Sequence, residues 1–228
     1  MSKGLLEKLQ EKLDKELAWR KKELAFIKGN IDSAEGEILN TLIRSGISML
    51  YAHWEGYIKI ASRAYLAYLN EQNYKLSDLR ENFLVLHLTK AIIDVKQSNK
   101  KTKFATLLDK IFNHEQENFK VPYMDSSIVT TESNLNYDTL HEILFSVGLD
   151  SEKYELKRVF IDKKLLENRN KIAHGEFTSF VRKQGGDTYL NDDAREEFEA
   201  LYRTILELMD EFKDQIISAG LDQAYLKK

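Results

Sequence analysis

One proline, Pro122, and ten glycines leave this chain of 228 residues with very little that can stop a helix. Proline removes an amide donor and clashes with the preceding turn, and glycine costs about 1 kcal/mol against alanine in a helix interior. Long helices are therefore permitted, and the apolar spacing calls for them. Leu6, Leu9, Leu13, Leu17, Leu24 and Ile27 recur three, four or seven residues apart, which predicts an amphipathic helix of roughly 25 residues. Lys28-Gly29-Asn30 is expected to end it. A second long helix is expected over 33–70, with Asp32 as N-cap and Glu35 in the capping-box position. Its apolar set includes Ile38, Leu42, Ile43, Ile47, Leu50, Trp54, Ile58 and Tyr65, which predicts burial along much of its length. Gly46, Ala52 and Gly56 would let another helix come close.

Further helices are expected over 77–95, 103–112, 137–147, 152–174 and 192–219, the last stopped by Gly220. The stretch 115–136 has another character. It holds Pro122 and several β-branched residues, and reads as an inserted loop with one or two short strands. A loop or hairpin with Gly185-Gly186 as its turn precedes the last helix. No internal repeat, low-complexity tract or dividing linker is visible. The expectation is an all-α up-and-down bundle, one domain over 1–228, with a small loop/β insertion.

Hydrophobic residues at 43% and charged residues at 31% fit a globular rather than a disordered chain. There is no cysteine, so disulfides, thiolate metal sites and cysteine nucleophiles are excluded. The simplest setting is a reducing cytoplasm. The N-terminal stretch is charged throughout and lacks a signal peptide's apolar core. No apolar run suggests a membrane span. No glycine-rich phosphate loop is present, which argues against a kinase or NTPase.

The net charge is −3, so the chain has no overall basic field for nucleic acid. The distribution is uneven. Four lysines and no acid fall within 96–103. Over 151–184 nine Lys/Arg face five Asp/Glu, and over 185–228 five face eleven.

The basic part contains ENRNKIAHGE, residues 167–176. On a helix Asn170 and His174 share a face, and Arg169 lies about 140° from His174 around the axis. The long arginine can swing toward the same side. Gly175 stands where a helix C′ glycine would. An arginine and a histidine together, without cysteine or an acid pair, suit RNA phosphodiester cleavage. The imidazole exchanges the proton of the 2′-OH or of the leaving oxygen. The guanidinium holds the non-bridging oxygens as charge builds. Asn170 can bond a phosphate or orient the histidine. By itself an Arg-x4-His pattern is a weak signal, because a histidine at a helix end is commonly a cap or packing residue.

Two local contexts add to it. RNKIAHGE, and MLYAHWEGYIK over 49–59, resemble the HEPN superfamily, and more narrowly prokaryotic HEPN-type nucleases of the Arg-x4-His kind. The resemblance spans most of the chain, but 96–148 carries no matching signature. It implies a metal-independent endoribonuclease with no cofactor, working as a homodimer whose two motifs face each other in one composite cleft. Carried onto this sequence, Arg169 and His174 are the catalytic pair, with Asn170 the polar residue beside the arginine. Family members serve as toxins with antitoxin partners, phage-defence effectors or RNA-processing enzymes. One subclass has a tyrosine, modified by a partner nucleotidyltransferase, two residues after the histidine. Here that residue is Glu176.

Lys171, Glu55 and His53 are candidate substrate contacts. For His53 and Trp54 a structural role is the simpler reading, and for Glu55 the two readings balance. Arg44 is expected to pair with a carboxylate. Tyr51, Tyr57, Tyr65 and Tyr68 form a stripe that helix packing explains more simply than base stacking. His87, His114 and His141 have no metal-ligand spacing. The alternatives to a nuclease are a HEPN-like module that binds nucleotide or RNA without cleaving it, and a helical protein-interaction module.

Overall fold

The computed structural model describes residues 3–185 and 188–227. Three long helices carry the architecture: α1 (Lys3–Ser33), α2 (Gly36–Gln72) and α8 (Asn191–Leu221). They pack on one another. Around them lie α3 (Glu81–Lys96), α4 (Lys101–Phe112), α5 (Tyr137–Val147), the single turn α6 (Glu152–Glu155) and α7 (Asn168–Ala173). A π-helical stretch, Phe160–Glu167, leads into α7. Two short strands, β1 (Arg182–Gly185) and β2 (Thr188–Leu190), pair antiparallel before α8. This is the all-α bundle expected. Among the described residues no helix is long and apolar enough to cross a membrane.

The long helices form because their apolar residues recur at helical spacing and bury one continuous stripe. Leu9, Leu13, Leu17 and Leu24 of α1 meet Leu39, Ile43, Ile47, Leu50, Trp54 and Ile58 of α2, and Leu201, Ile205, Leu208 and Phe212 of α8, in one buried cluster. Lys21 bonds Asp210 at 2.6 Å, and Lys213 bonds Asp14 at 3.2 Å, across α1 and α8. Gly46 is the close approach. A Cβ there would lie 2.8 Å from the Phe198 ring and 2.9 Å from Ile31. Gly46→Leu is expected to lower stability by about 1–3 kcal/mol through overpacking, read as a lower melting temperature.

Several boundaries differ from expectation. Helix α1 runs through Gly29 to Ser33, because Ile31 is buried at the α2–α8 junction and that burial outweighs the glycine cost. Asp32 therefore stays inside α1, paired with Lys28 at 2.7 Å, and is not a cap. Glu35 is the N-cap residue of α2 without a side-chain cap bond, and the Gly36 amide donates to Asn191 Oδ1 at 3.0 Å. Ile38 is exposed near that end, and Ala52 is exposed too. Helix α8 continues through Gly220, whose missing side chain makes room for Leu6.

The insertion over 115–136 has no named strand. It forms one isolated bridge, Lys75 with Asn118. Its apolar residues Phe119, Val121, Ile128, Val129 and Leu135 plug the core. The Asn70 side chain pins the segment, donating to Val121 O at 2.8 Å and accepting from Val121 N at 3.0 Å. A side-chain amide thus satisfies backbone groups that a strand partner would otherwise pair. The helix expected over 152–174 is interrupted at 156–157 and then passes through the π stretch. The hairpin is present. Gly185 ends β1, and Gly186 lies outside the described residues.

Candidate functional site

Leu165 and Leu166 are buried at the end of the π stretch and fix α7 against the bundle. Helix α7 then carries Arg169, Asn170 and Lys171, and His174 is its C-cap residue. The termination is a Schellman motif. Gly175 has φ +73°, its amide donates to Ile172 O at 3.1 Å, and the Glu176 amide donates to Lys171 O at 2.9 Å. The glycine turns the chain directly after His174, as the sequence indicated. Arg44 of α2 holds the next segment, donating from Nη1 to Glu176 O and Thr178 O, each at 3.1 Å. Its partners are carbonyls and not the carboxylate expected. Asn40 Oδ1 accepts from the Phe180 amide at 2.8 Å. Arg44→Ala is expected to cost about 1 kcal/mol and to speed amide exchange over 176–178, measured by hydrogen exchange.

The His174 side chain is exposed, and its imidazole bonds no other described residue. It lines a shallow depression together with Asn136, Arg158, Asn170, Lys171 and Glu176. Arg169 turns away from that depression. Its guanidinium lies over the Tyr51 ring, 4.4 Å from the centroid, and Nη1 donates to Asn170 Oδ1 at 2.8 Å. A cation over a ring face is attracted by the ring quadrupole. Asn170 Nδ2 donates in turn to Asn134 Oδ1 at 3.2 Å. The guanidinium and the histidine depression are thus joined through Asn170.

Tyr51 is itself held. Its hydroxyl accepts from the Leu135 amide at 2.8 Å and hydrogen-bonds the Glu55 carboxylate. Thr131 Oγ1 donates to Glu55 Oε1 at 2.5 Å. Burial pushes the Tyr51 phenol up to about 12, which keeps it neutral beneath the guanidinium. The segment that supplies Thr131, Asn134 and Leu135 contains Glu132 and Ser133, both at positive φ (52° and 59°), a conformation costly for residues other than glycine. This strained turn aims Asn134 and Leu135 at α7 and α2.

The sequence candidates therefore divide. Asn170, Lys171 and His174 share one depression, and Arg169 and Glu55 flank Tyr51 beside it. His53 is not brought there. It sits about 200° from Tyr51 around α2 and faces α1, with Nε2 2.9 Å from Glu23 and its ring edge-on to Trp19. Burial pushes its pKa down. Lys171 is bonded to Glu167 at 2.8 Å, and Lys171 with Lys163 holds the Glu167 carboxyl below its usual range. Arg158 is engaged by Asp138 at 3.1 Å and Asp162 at 3.3 Å.

Sequence reasoning gave Tyr51 as a packing residue, which its burial bears out, without the arginine over its ring, and it missed Asn134. Tyr51 opens the Tyr-x-x-Trp-Glu-Gly motif one turn before Glu55, which was a usable signal. Asn134 had none, because it lies in the stretch without signature.

The all-α bundle, with its penultimate helical run ending at His174 and Gly175, is the architecture that the resemblance to the HEPN class implied. The chain belongs to that superfamily, in the family described as RiboL-PSP-HEPN, whose model matches residues 15–218. Comparison with curated proteins and with solved structures gives no match.

Proposed function

We propose that this HEPN protein is an endoribonuclease that cleaves RNA by attack of a 2′-OH on the adjacent phosphorus. The observation that carries the reading is a presented imidazole with no partner among the described residues, one helical turn from an asparagine that also holds an arginine. Neutral His174 takes the proton of the 2′-OH as the new O2′–P bond forms. The bond from phosphorus to the 5′ oxygen breaks, and that oxygen takes a proton from a second imidazole. Two copies facing each other about a two-fold axis supply that second histidine and a second arginine. Arg169 leaves or extends from its ring platform to hold the non-bridging oxygens. The products are a 2′,3′-cyclic phosphate and a 5′-hydroxyl. Phe177, 86% exposed three residues beyond His174, is an apolar anchor suited to such a facing copy.

The test is cleavage of a single-stranded RNA with and without chelator, and of the same strand with a 2′-deoxy residue at the cut site. Cleavage that resists chelator and stops at the deoxy position supports the scheme. Cleavage of the deoxy strand removes it.

One observation favours a second reading. Arg169 is stacked on Tyr51 and lies outside the depression, as in a module that binds RNA or nucleotide without cutting it. That module would retain RNA in a filter assay and release no product. A role as toxin or antiviral effector, checked by an antitoxin protein, rests on the same chemistry. It predicts growth arrest on bacterial expression of wild type and not of His174→Ala.

A further inference from the structure

Helix α4 is amphipathic, yet none of its residues is buried. It packs on α3 and on the 3-10 turn His114–Gln116 and leaves an apolar stripe outward. Phe104 is 47% exposed, Leu108 50% and Phe112 76%, with Ile111 beside them. Spacings of four and three place these side chains on one side of the helix. An isolated apolar side chain on a surface is ordinary, but a contiguous stripe of large ones marks an interaction site.

The charges at its ends are informative. The first turn holds no acid but carries Lys101 and Lys103, against the preference set by the helix dipole. Those lysines therefore do not serve the helix. Lys103 is paired with Asp94 at 3.0 Å, whereas the ammonium groups of Lys100 and Lys101 have no partner among the described residues. At the other end Lys110 is taken by Glu117 at 3.6 Å and His87 at 3.4 Å. Among the described residues the Asp109 carboxylate meets the Asn113 side-chain amide alone, at 2.7 Å, and the Glu115 carboxylate has no partner. The uncommitted charge is thus positive at the start of α4 and negative just past its end.

We propose that α4 is a self-association surface, covered by α4 of a second copy of this chain running antiparallel about a two-fold axis at Leu108. Positions 101 and 115 stand equally far from Leu108 on either side. In that register Phe104 faces Phe112 and Leu108 meets its own equivalent, and Lys101 comes to the end of the second copy's α4, where Glu115 stands in the 3-10 turn just past the helix. Each contact occurs twice, as an isologous interface requires. Antiparallel helices also set opposite dipole ends side by side. An anionic lipid surface fits less well, because Asp109 and Glu115 would face it at one end.

The test is sedimentation of the full chain over about a hundredfold range of concentration. Wild type should show a concentration-dependent doubling step that Leu108→Glu, at an exposed position, removes while the circular dichroism stays the same. Lys101→Glu should raise the concentration needed about tenfold, since each of two symmetric pairs turns repulsive. Adding Glu115→Lys should restore it. None of these variants touches α7, so association through that helix is a common background. Identical sedimentation of wild type and Leu108→Glu overturns the proposal, as does failure of the double charge swap. Loss of binding to phosphatidylserine vesicles in Leu108→Glu without any change in mass also overturns it, in favour of a lipid surface.

Discussion

Replacing His174 with alanine is expected to slow RNA cleavage by about 10²–10⁴-fold, the usual worth of a positioned general acid or base. Stability should change by no more than about 0.5 kcal/mol, because the side chain is exposed and bonds no other described residue. The helix end survives the substitution, since the Schellman bonds run through backbone atoms and Gly175. Arg169→Ala should cost about 10²–10³-fold as the developing phosphorane charge loses its donor. Arg169→Lys should not rescue it, for an ammonium lacks the planar fork that both binds two oxygens and stacks on Tyr51. The measurement is single-turnover cleavage of a labelled RNA alongside a thermal melt. A His174→Ala protein that cuts at the wild-type rate would remove the imidazole from the mechanism. Mixing wild type with excess His174→Ala then reports on the composite cleft, because a heterodimer left with one imidazole loses activity if the two copies share one site and keeps about half of it if each copy works alone.

Tyr51 should show the second large effect, and two substitutions separate its two jobs. Tyr51→Ala removes a fully buried ring from the core beneath α7, at a cost of about 3–5 kcal/mol. It also removes the platform 4.4 Å under the Arg169 guanidinium. Tyr51→Phe keeps the ring and the platform but orphans the Leu135 amide and one bond to Glu55, costing about 1–3 kcal/mol. Activity measured well below either melting temperature should therefore fall strongly for alanine and only mildly for phenylalanine. Equal loss in both would mean that the hydroxyl and the 131–135 turn, not the ring, hold the arginine. Asn134→Ala isolates that turn. It leaves the ring in place and cuts the link to Asn170 Nδ2, so a fall in activity with little change in stability would place the turn in the site's function.

The helices were legible because their information is local. Leu13, Leu17 and Leu24 are buried as their spacing implies, and Tyr137–Val147 starts and stops as its residues indicate, with Asn136 capping Thr139 and Gly148 in the left-handed region. Arg169, Asn170, His174 and Gly175 were legible because they sit within one short segment with a recognisable ending. Boundaries failed where packing overrode a local signal. Gly29 and Gly220 lie inside helices because Ile31 and Leu6 are buried against neighbouring helices. Val121, Ile128 and Val129 of 115–136 became core plugs, with the Asn70 side chain rather than a strand pairing the Val121 backbone.

By itself the sequence determined a helical bundle and the motif at the end of α7, because 3.6-residue periodicity and a C′ glycine act within a few residues. Only the tertiary structure decided which way each polar group faces. It set Arg169 on a ring more than a hundred residues away in the chain, sent His53 to Glu23, and brought Asn134 to Asn170. Those pairings depend on how separate helices and one strained turn pack together, and no spacing along the chain encodes that.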